Sequence, residues 1–257
     1  MYSKVERNYL LGQICAFTKN SPEFSCLLQI GSGAEGFTDI YSDIDLMAGC
    51  VNDHAVEQAK LKLEQFFLEH RAIYLDHRKW AADILGISAY FKNGLSVDLS
   101  FMPASKIPLA TKCWRLLWAS CPEIESMLAE KNARVSEKQS FVDQKYHHAF
   151  FYSLRKAEIA ILRENFVYAE VSISEARQKL LLAETMLEGK KLHQFKAFHT
   201  LDSLFLEKLQ QTYPRLINAA ELTRAKENLL EPYTQTINAS SFCKIDPTQF
   251  QIIHCFE

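Results

Sequence analysis

The chain has 257 residues, with 29 lysines and arginines against 31 aspartates and glutamates, a formal net charge of -2. At 48% hydrophobic and 23% charged it has the composition of an ordinary globular protein with a sizeable core, which excludes collagen-like, disordered and mucin-like classes. Charge is balanced in both halves, so neither carries the strong positive field that holds nucleic acid nonspecifically, and a small molecule or nucleotide is the expected ligand.

The length suits one large domain or two small ones. The N-terminal residues contain no long apolar segment, and no run of about 18 uninterrupted apolar residues occurs, so a cytoplasmic protein without a membrane span is expected. Seven cysteines, at 15, 26, 50, 113, 121, 243 and 255, form no C-x-x-C pair. Such usage points to reduced, mostly buried thiols rather than a disulfide frame or a zinc site.

In chain order, Val5, Tyr9, Leu10, Ile14 and Phe17 recur at helical spacing, and Asn20-Ser21-Pro22 stops that helix. Residues 26–30 and 44–47 are short apolar runs that read as buried strands. Asp53 is expected to cap a helix running to about His70, because Val56, Ala59, Leu63, Phe66 and Phe67 share one face. Residues 72–75 read as another strand. Residues 84–91 and 95–102 flank Lys92-Asn93-Gly94, whose Asn-Gly predicts an antiparallel hairpin.

After Pro103 the pattern turns helical. Ser136 with Gln139 forms a capping-box pattern ahead of a helix to about Asn165, and a second long helix is expected over 168–187, stopped by Gly189. Further helical segments are expected near 201–211 and 219–230, followed by a polar stretch over 234–241. The order is strand-rich, then helix-rich, with a boundary between 103 and 136.

Gly31-Ser32-Gly33-Ala34-Glu35-Gly36 follows the first strand and matches the dinucleotide pattern Gly-x-Gly-x-x-Gly. Only six residues, 37–42, then precede Asp43-Ile44-Asp45, too few for the crossover helix of a Rossmann unit. No Lys-Ser or Lys-Thr follows the last glycine, which excludes a P-loop.

The carboxylates support another reading. On a strand Asp43 and Asp45 point to one face while Ile44 and Leu46 point into the core. Two like charges on one face repel, and a divalent metal is the natural neutraliser. Asp98 lies between Val97 and Leu99 in a strand that otherwise looks buried. If that strand lies beside 43–47, Asp43, Asp45 and Asp98 form one magnesium cage.

Gly31-Ser32, ten intervening residues, Asp43-Ile44-Asp45 and a later strand acid, Asp98, together resemble the nucleotidyltransferase superfamily that includes DNA polymerase beta, and especially its bacterial aminoglycoside and lincosamide nucleotidyltransferases. The resemblance covers about residues 26–102. It implies an α+β chain: a nucleotidyltransferase domain at 1–103 with a mixed sheet flanked by helices, a connecting helical segment at 104–135, and a C-terminal helical, bundle-like domain at 136–257. It further implies transfer of a nucleoside monophosphate, AMP from ATP, to a hydroxyl of a small molecule such as an antibiotic, with release of pyrophosphate.

On this resemblance Gly31 lets the backbone approach the triphosphate and Ser32 donates to it, Asp43 and Asp45 hold Mg2+, and Asp98 completes a second metal site and helps remove the hydroxyl proton. Relatives often use a separate glutamate as base, which no motif places here. Gly33 and Gly36 either touch phosphate or only shape the loop, and Asp39 reads as a turn or cap residue.

In the helical half, a solvated face with a core stripe is the default reading of the run from Tyr146 to Glu158. Lys156 is nonetheless a candidate point charge for the triphosphate, and Glu158 a candidate base. His147 and His148 are adjacent and cannot face one metal from a helix. Transfer to a protein or RNA, a nucleotide-binding module without turnover, and the choice between monomer and homodimer stay open.

Overall fold

In a computed structural model the chain divides into two compact units, Met1–Glu137 and Lys138–Glu257. The structure describes residues 1–37, 41–109, 113–134, 144–190 and 195–240. Asp39 and the Ser136/Gln139 capping pattern lie outside these residues.

The first unit is built on a six-stranded sheet. Its strands are β1 (Phe24–Ile30), β2 (Ile44–Cys50), β3 (Ala72–Ala81), β4 (Ile84–Phe91), β5 (Ser96–Pro103) and β6 (Trp114–Ala119), in the spatial order β3-β4-β5-β2-β1-β6. All neighbours are antiparallel except β2 and β5, so the sheet is mixed and the fold is α+β. The Asn93-Gly94 turn joins β4 to β5 as expected, with Phe91 N–H donating to the Leu95 carbonyl at 2.9 Å.

Three helices accompany the sheet: α1 (Lys4–Asn20), α2 (Asp53–Glu69) and α3 (Pro122–Ala133). Helix α1 begins at a capping box in which Ser3 Oγ accepts from the Glu6 N–H at 3.2 Å and the Glu6 carboxylate accepts from the Ser3 N–H at 2.7 Å. Asn52, not Asp53, caps α2, its side chain accepting from the Ala55 N–H at 2.9 Å. Asp53 is instead the first helical residue, where its charge faces the positive end of the helix.

Alternation along the central strands sorts their faces. Ile44, Leu46 and Ala48 of β2 and Val97, Leu99 and Phe101 of β5 enter one core with Leu10, Ile14, Val56, Leu63 and Phe67 of α1 and α2. Each fully buried Leu, Ile or Phe contributes roughly 1.5–3 kcal/mol. A slip of one residue in either strand would bring a carboxylate, Asp45 or Asp98, into this core, so the register is strongly fixed. On the opposite face Cys26, Leu28, Met102, Ile107 and Leu128 form a second, smaller core.

Two segments depart from expectation. Residues 114–119, expected within a helical connection, form edge strand β6, because β1 leaves an open side that Trp114 to Ala119 complete. Strand β3 runs to Ala81 rather than stopping at Leu75, so His77, Arg78 and Lys79 lie on a strand. An edge strand tolerates such charges because one side faces water.

The second unit contains α4 (Gln144–Leu162), α5 (Phe166–Leu187), α6 (Ser203–Gln211), α7 (Ala219–Glu227) and α8 (Leu230–Ala239). Its core holds Phe150, Phe151, Leu154, Ile173, Leu180 and Tyr233. Tyr233 stacks on Phe150 at 3.5 Å between ring centroids, and its hydroxyl meets His147 Nδ1 at 2.9 Å. The stretch expected to be merely polar is thus largely helical: Tyr233, Thr236 and Ile237 give α8 a buried face at helical spacing. Among the described residues no helix is long and apolar enough to cross a membrane.

Candidate active site

The parallel pairing of β2 with β5 sets Asp45 directly opposite Asp98. Because Ile44, Leu46, Val97 and Leu99 occupy the core face, both carboxylates stand on the other face, at the same height on adjacent strands. Asp43 lies one residue ahead of β2 and is half-buried.

The turn after β1 reaches this pair. Gly31–Gly33 form one turn of 3-10 helix containing the half-buried Ser32. Gly31 has φ +63°, and a Cβ there would stand 2.6 Å from Asp45 Oδ2. Only glycine meets both conditions, so the backbone of the turn lies directly against the Asp45 carboxylate. A Cβ at Gly33 would stand 3.0 Å from Phe37 Cε1 and closer still to the Gln29 side chain, which gives Gly33 a role in shaping the loop.

The far end of the loop is tied to α1. The Ser42 carbonyl accepts from the Tyr2 hydroxyl at 2.9 Å and from Arg7 Nη1 at 3.0 Å. Arg7 is only 1% exposed, and its guanidinium lies 3.7 Å from the centre of the Phe37 ring. Since Ser42 directly precedes Asp43, these contacts position the entrance to the acidic strand. The sequence reading missed Arg7, although residues 7, 10 and 14 share the buried stripe of α1, a signal that this arginine turns inward.

Strands β3 and β4 extend the row of polar groups. Asp76 pairs with Ser88, and Ser88 pairs with Asp98, so Asp76, Ser88, Asp98 and Asp45 run across four strands. Ser88 Oγ donates to Asp98 Oδ1, and Arg78 Nη2 approaches Ser88 Oγ at 2.5 Å and Asp98 Oδ1 at 3.3 Å. Arg78 Nε lies 3.5 Å from Asp76 Oδ2. Neither Ser88 nor Arg78 carried a motif, and β3 is too polar to show a buried strand pattern.

These groups open into a pocket of about 140 Å³ lined by Asp45, Arg78, Trp80, Ser88, Asp98 and Ser100, among others. Carboxylate oxygens on adjacent strands are the donors a hard divalent cation prefers, so Asp45 and Asp98, with Asp43 nearby, fit magnesium in kind. Among the described residues no three His, Cys, Asp or Glu side chains are grouped to hold a metal, and Asp98 turns one oxygen towards Ser88 and Arg78. Arg78 offsets the repulsion between neighbouring carboxylates that a cation would otherwise offset.

The remaining candidates lie in the second unit. Lys156 Nζ pairs with Glu175 Oε2 at 2.6 Å, and this partner raises the lysine pKa. Glu158 is paired with Lys226. His147 is buried against Tyr233, while His148 stacks on Tyr152, so the two histidines serve different contacts.

No protein-family model matches the sequence, and no curated protein matches it. Among solved structures, an aminoglycoside 6-adenyltransferase from Bacillus subtilis aligns over 99% of this chain and 97% of its own, with a TM-score of 0.45 and 14% identity. A nucleotidyltransferase-like protein from Exiguobacterium sibiricum 255-15 aligns over 90% and 74%, with a TM-score of 0.40 and 11% identity. The Thermotoga maritima CCA-adding enzyme, solved with tRNA, aligns over 97% and 70%, with a TM-score of 0.32 and 13% identity. These are distant likenesses of chain trace.

Proposed function

We propose that the chain is a magnesium-dependent nucleotidyltransferase that moves a nucleoside monophosphate, AMP from ATP, onto a hydroxyl of a small molecule such as an antibiotic, in the cytoplasm. The observation that carries this reading is the Gly31 backbone lying against the carboxylate of Asp45, whose register partner is Asp98. A triphosphate held by the turn would thereby have its α-phosphorus beside both acids. The five cysteines among the described residues are free thiols, which suits a reducing compartment.

In this reading the Gly31–Gly33 turn and Ser32 hold the triphosphate through backbone N–H groups and the hydroxyl. Asp43, Asp45 and Asp98 would hold magnesium, which supplies positive charge to the phosphate oxygens and the attacking oxygen. Asp98 also accepts the proton of the acceptor hydroxyl. The hydroxyl oxygen bonds to the α-phosphorus, the bond from that phosphorus to the bridging oxygen breaks, and pyrophosphate leaves with the electron pair.

One observation favours the alternative of a nucleotide-binding module without turnover: Arg78 already neutralises Asp98. A single experiment separates the two. The protein is incubated with magnesium, all four triphosphates and a library of hydroxyl compounds, and products are analysed by mass spectrometry and pyrophosphate release. Added monophosphate that Asp45→Asn abolishes supports transfer. Magnesium-dependent ATP binding without product supports the module.

A further inference from the structure

We infer that Gln29 positions the phosphate turn: its buried amide N–H is the partner that the Ser32 carbonyl takes when the Ser32–Gly33 peptide rotates to present its own N–H to a triphosphate. This rests on the reading above that the turn holds a triphosphate. Gln29 lies on β1, opposite Leu46 of β2 and Arg115 of β6. Leu46 enters the core shared with α1 and α2, so Gln29 points to that face, away from Asp45 and Asp98. Gln29 is 0% exposed. Its Oε1 accepts from Arg115 Nη2 at 2.5 Å, and since a guanidinium only donates, this bond fixes which end of the amide faces the turn. The NH2 end lies against Gly33, where a Cβ would stand 2.7 Å from Gln29 Cδ and closer still to Nε2.

Gln29 Nε2 makes no hydrogen bond among the described residues. A buried donor without an acceptor weighs against folding by roughly ten-fold, a cost that methionine, of similar shape, would not carry. Such a group calls for a state in which it is bonded. The two peptides that flank the Gly33 α-carbon are the ones within its reach. The Gly33 carbonyl already accepts from the Gly36 N–H at 3.2 Å, and the Gly31 carbonyl accepts from the Ala34 N–H at 3.2 Å and the Cys113 thiol at 3.6 Å. Among the described residues no such bond reaches the Ser32 carbonyl, which leaves it as the acceptor.

The turn is held between two groups, the Asp45 carboxylate beside Gly31 and the Gln29 amide beside Gly33, which stand on opposite faces of the sheet. A planar trans peptide carries its N–H and its carbonyl on opposite sides. Rotating the Ser32–Gly33 peptide until its carbonyl meets Gln29 therefore sends the Gly33 N–H towards the side of Asp45, where the triphosphate lies. The anion accepts from that N–H while Gln29 donates to the carbonyl, so the orphan donor gains its partner only in the bound state. Glycine at 33 permits the motion, because it passes through φ values closed to other residues and presents no Cβ to the amide. Arg115 keeps the amide from flipping its oxygen towards the turn.

The test uses the whole protein carrying isotope-labelled glutamine, in which the side-chain NH2 resonances of Gln29 are those missing from Gln29→Glu. Inorganic tripolyphosphate with magnesium, and ATP with magnesium, are each expected to move one of the two Gln29 amide protons downfield and to slow its exchange with water, while adenosine leaves both in place. Gln29→Glu keeps an acceptor for Arg115 and Gln29→Met does not, yet both lack the donor, so both should weaken ATP binding roughly ten-fold in calorimetry. Gln29→Met should not lower the Tm, since it buries no orphan group. Amide protons unmoved at saturating ATP, or moved equally by adenosine, overturn the inference and leave the transfer reading standing. Equal ATP affinity in the native protein and in Gln29→Met overturns it as well. A Gln29 response to triphosphate with no nucleotidyl product keeps the inference and sinks the transfer reading.

Discussion

Asp45 on β2 and Asp98 on β5 are direct partners across the one parallel strand pair of the sheet, so two carboxylates separated by 53 positions in sequence share one height on one face. Like charges that close favour a cation between them. Asp45→Asn and Asp98→Asn are each expected to lower pyrophosphate release at least a thousand-fold, on the order of 4 kcal/mol in the barrier. Both variants should stay folded, because each removes a repulsion. Thermal unfolding with and without magnesium checks this: the metal should raise the Tm of the native protein and not that of Asp45→Asn.

Gly31 and Gly36 make a controlled comparison. Both have positive φ, +63° and +86°, yet a Cβ at Gly36 would have nothing within 4 Å among the described residues while one at Gly31 would strike Asp45. Each alanine variant should cost roughly 1–2 kcal/mol of stability from the left-handed backbone. Gly31→Ala should also abolish ATP binding measured by calorimetry, whereas Gly36→Ala should retain it. Equal affinities in the two variants would contradict the placement of the triphosphate on the Gly31 turn.

Tyr2 and Arg7 donate to the same Ser42 carbonyl, so either can satisfy it alone. Tyr2→Phe is expected to cost about 1 kcal/mol and Arg7→Met about 2 kcal/mol, the latter losing its contact with Phe37 as well. Because the two donors share one acceptor, the double variant should depart from the sum of the single effects by about 1 kcal/mol. Urea unfolding of the four proteins measures that coupling.

Removing Arg78 frees Asp98 from its cationic neighbour. The pair is exposed, so Arg78→Ala should change stability by no more than about 0.5 kcal/mol. Manganese affinity, read from paramagnetic resonance of the free ion, should increase several-fold. A weaker affinity would mean that Arg78 positions Asp98 for the metal rather than competing with it.

Glu184 lies buried on α5 and accepts a hydrogen bond from Thr236 Oγ1 at 2.6 Å; burial, partly opposed by that bond, holds its pKa above the ordinary 4.5. The folded state therefore keeps a proton that the unfolded chain releases. Its contribution to stability is complete below the ordinary glutamate range and declines as pH rises from 4.5 through the raised folded value. Glu184→Gln keeps an acceptor for Thr236 without the charge, so stability measured from pH 4 to 8 should fall less steeply in the variant than in the native protein.

Much of the architecture is legible in local sequence. The apolar faces of α1 and α2, the alternation on β2 and β5 and the Asn93-Gly94 turn all follow from short-range spacing, and each element forms where that spacing puts it. Legibility fails at the edges of the sheet. β3 carries His77, Arg78 and Lys79 and β6 lies in a stretch that reads as a connection, because an edge strand needs a neighbour on one side only and shows no full buried pattern.

The sequence by itself determined that Asp45 and Asp98 oppose apolar neighbours on strands and that glycines follow β1, since residue type and a period of two need only local geometry. Tertiary structure alone decided that β5 lies parallel to β2 with Asp98 level with Asp45, that Gly31 touches Asp45, and that Arg78 and Ser88 hold Asp98. These relationships join positions far apart in the chain. Their register is set by which apolar faces fill the shared core, a property of the whole sheet and its helices rather than of any one segment.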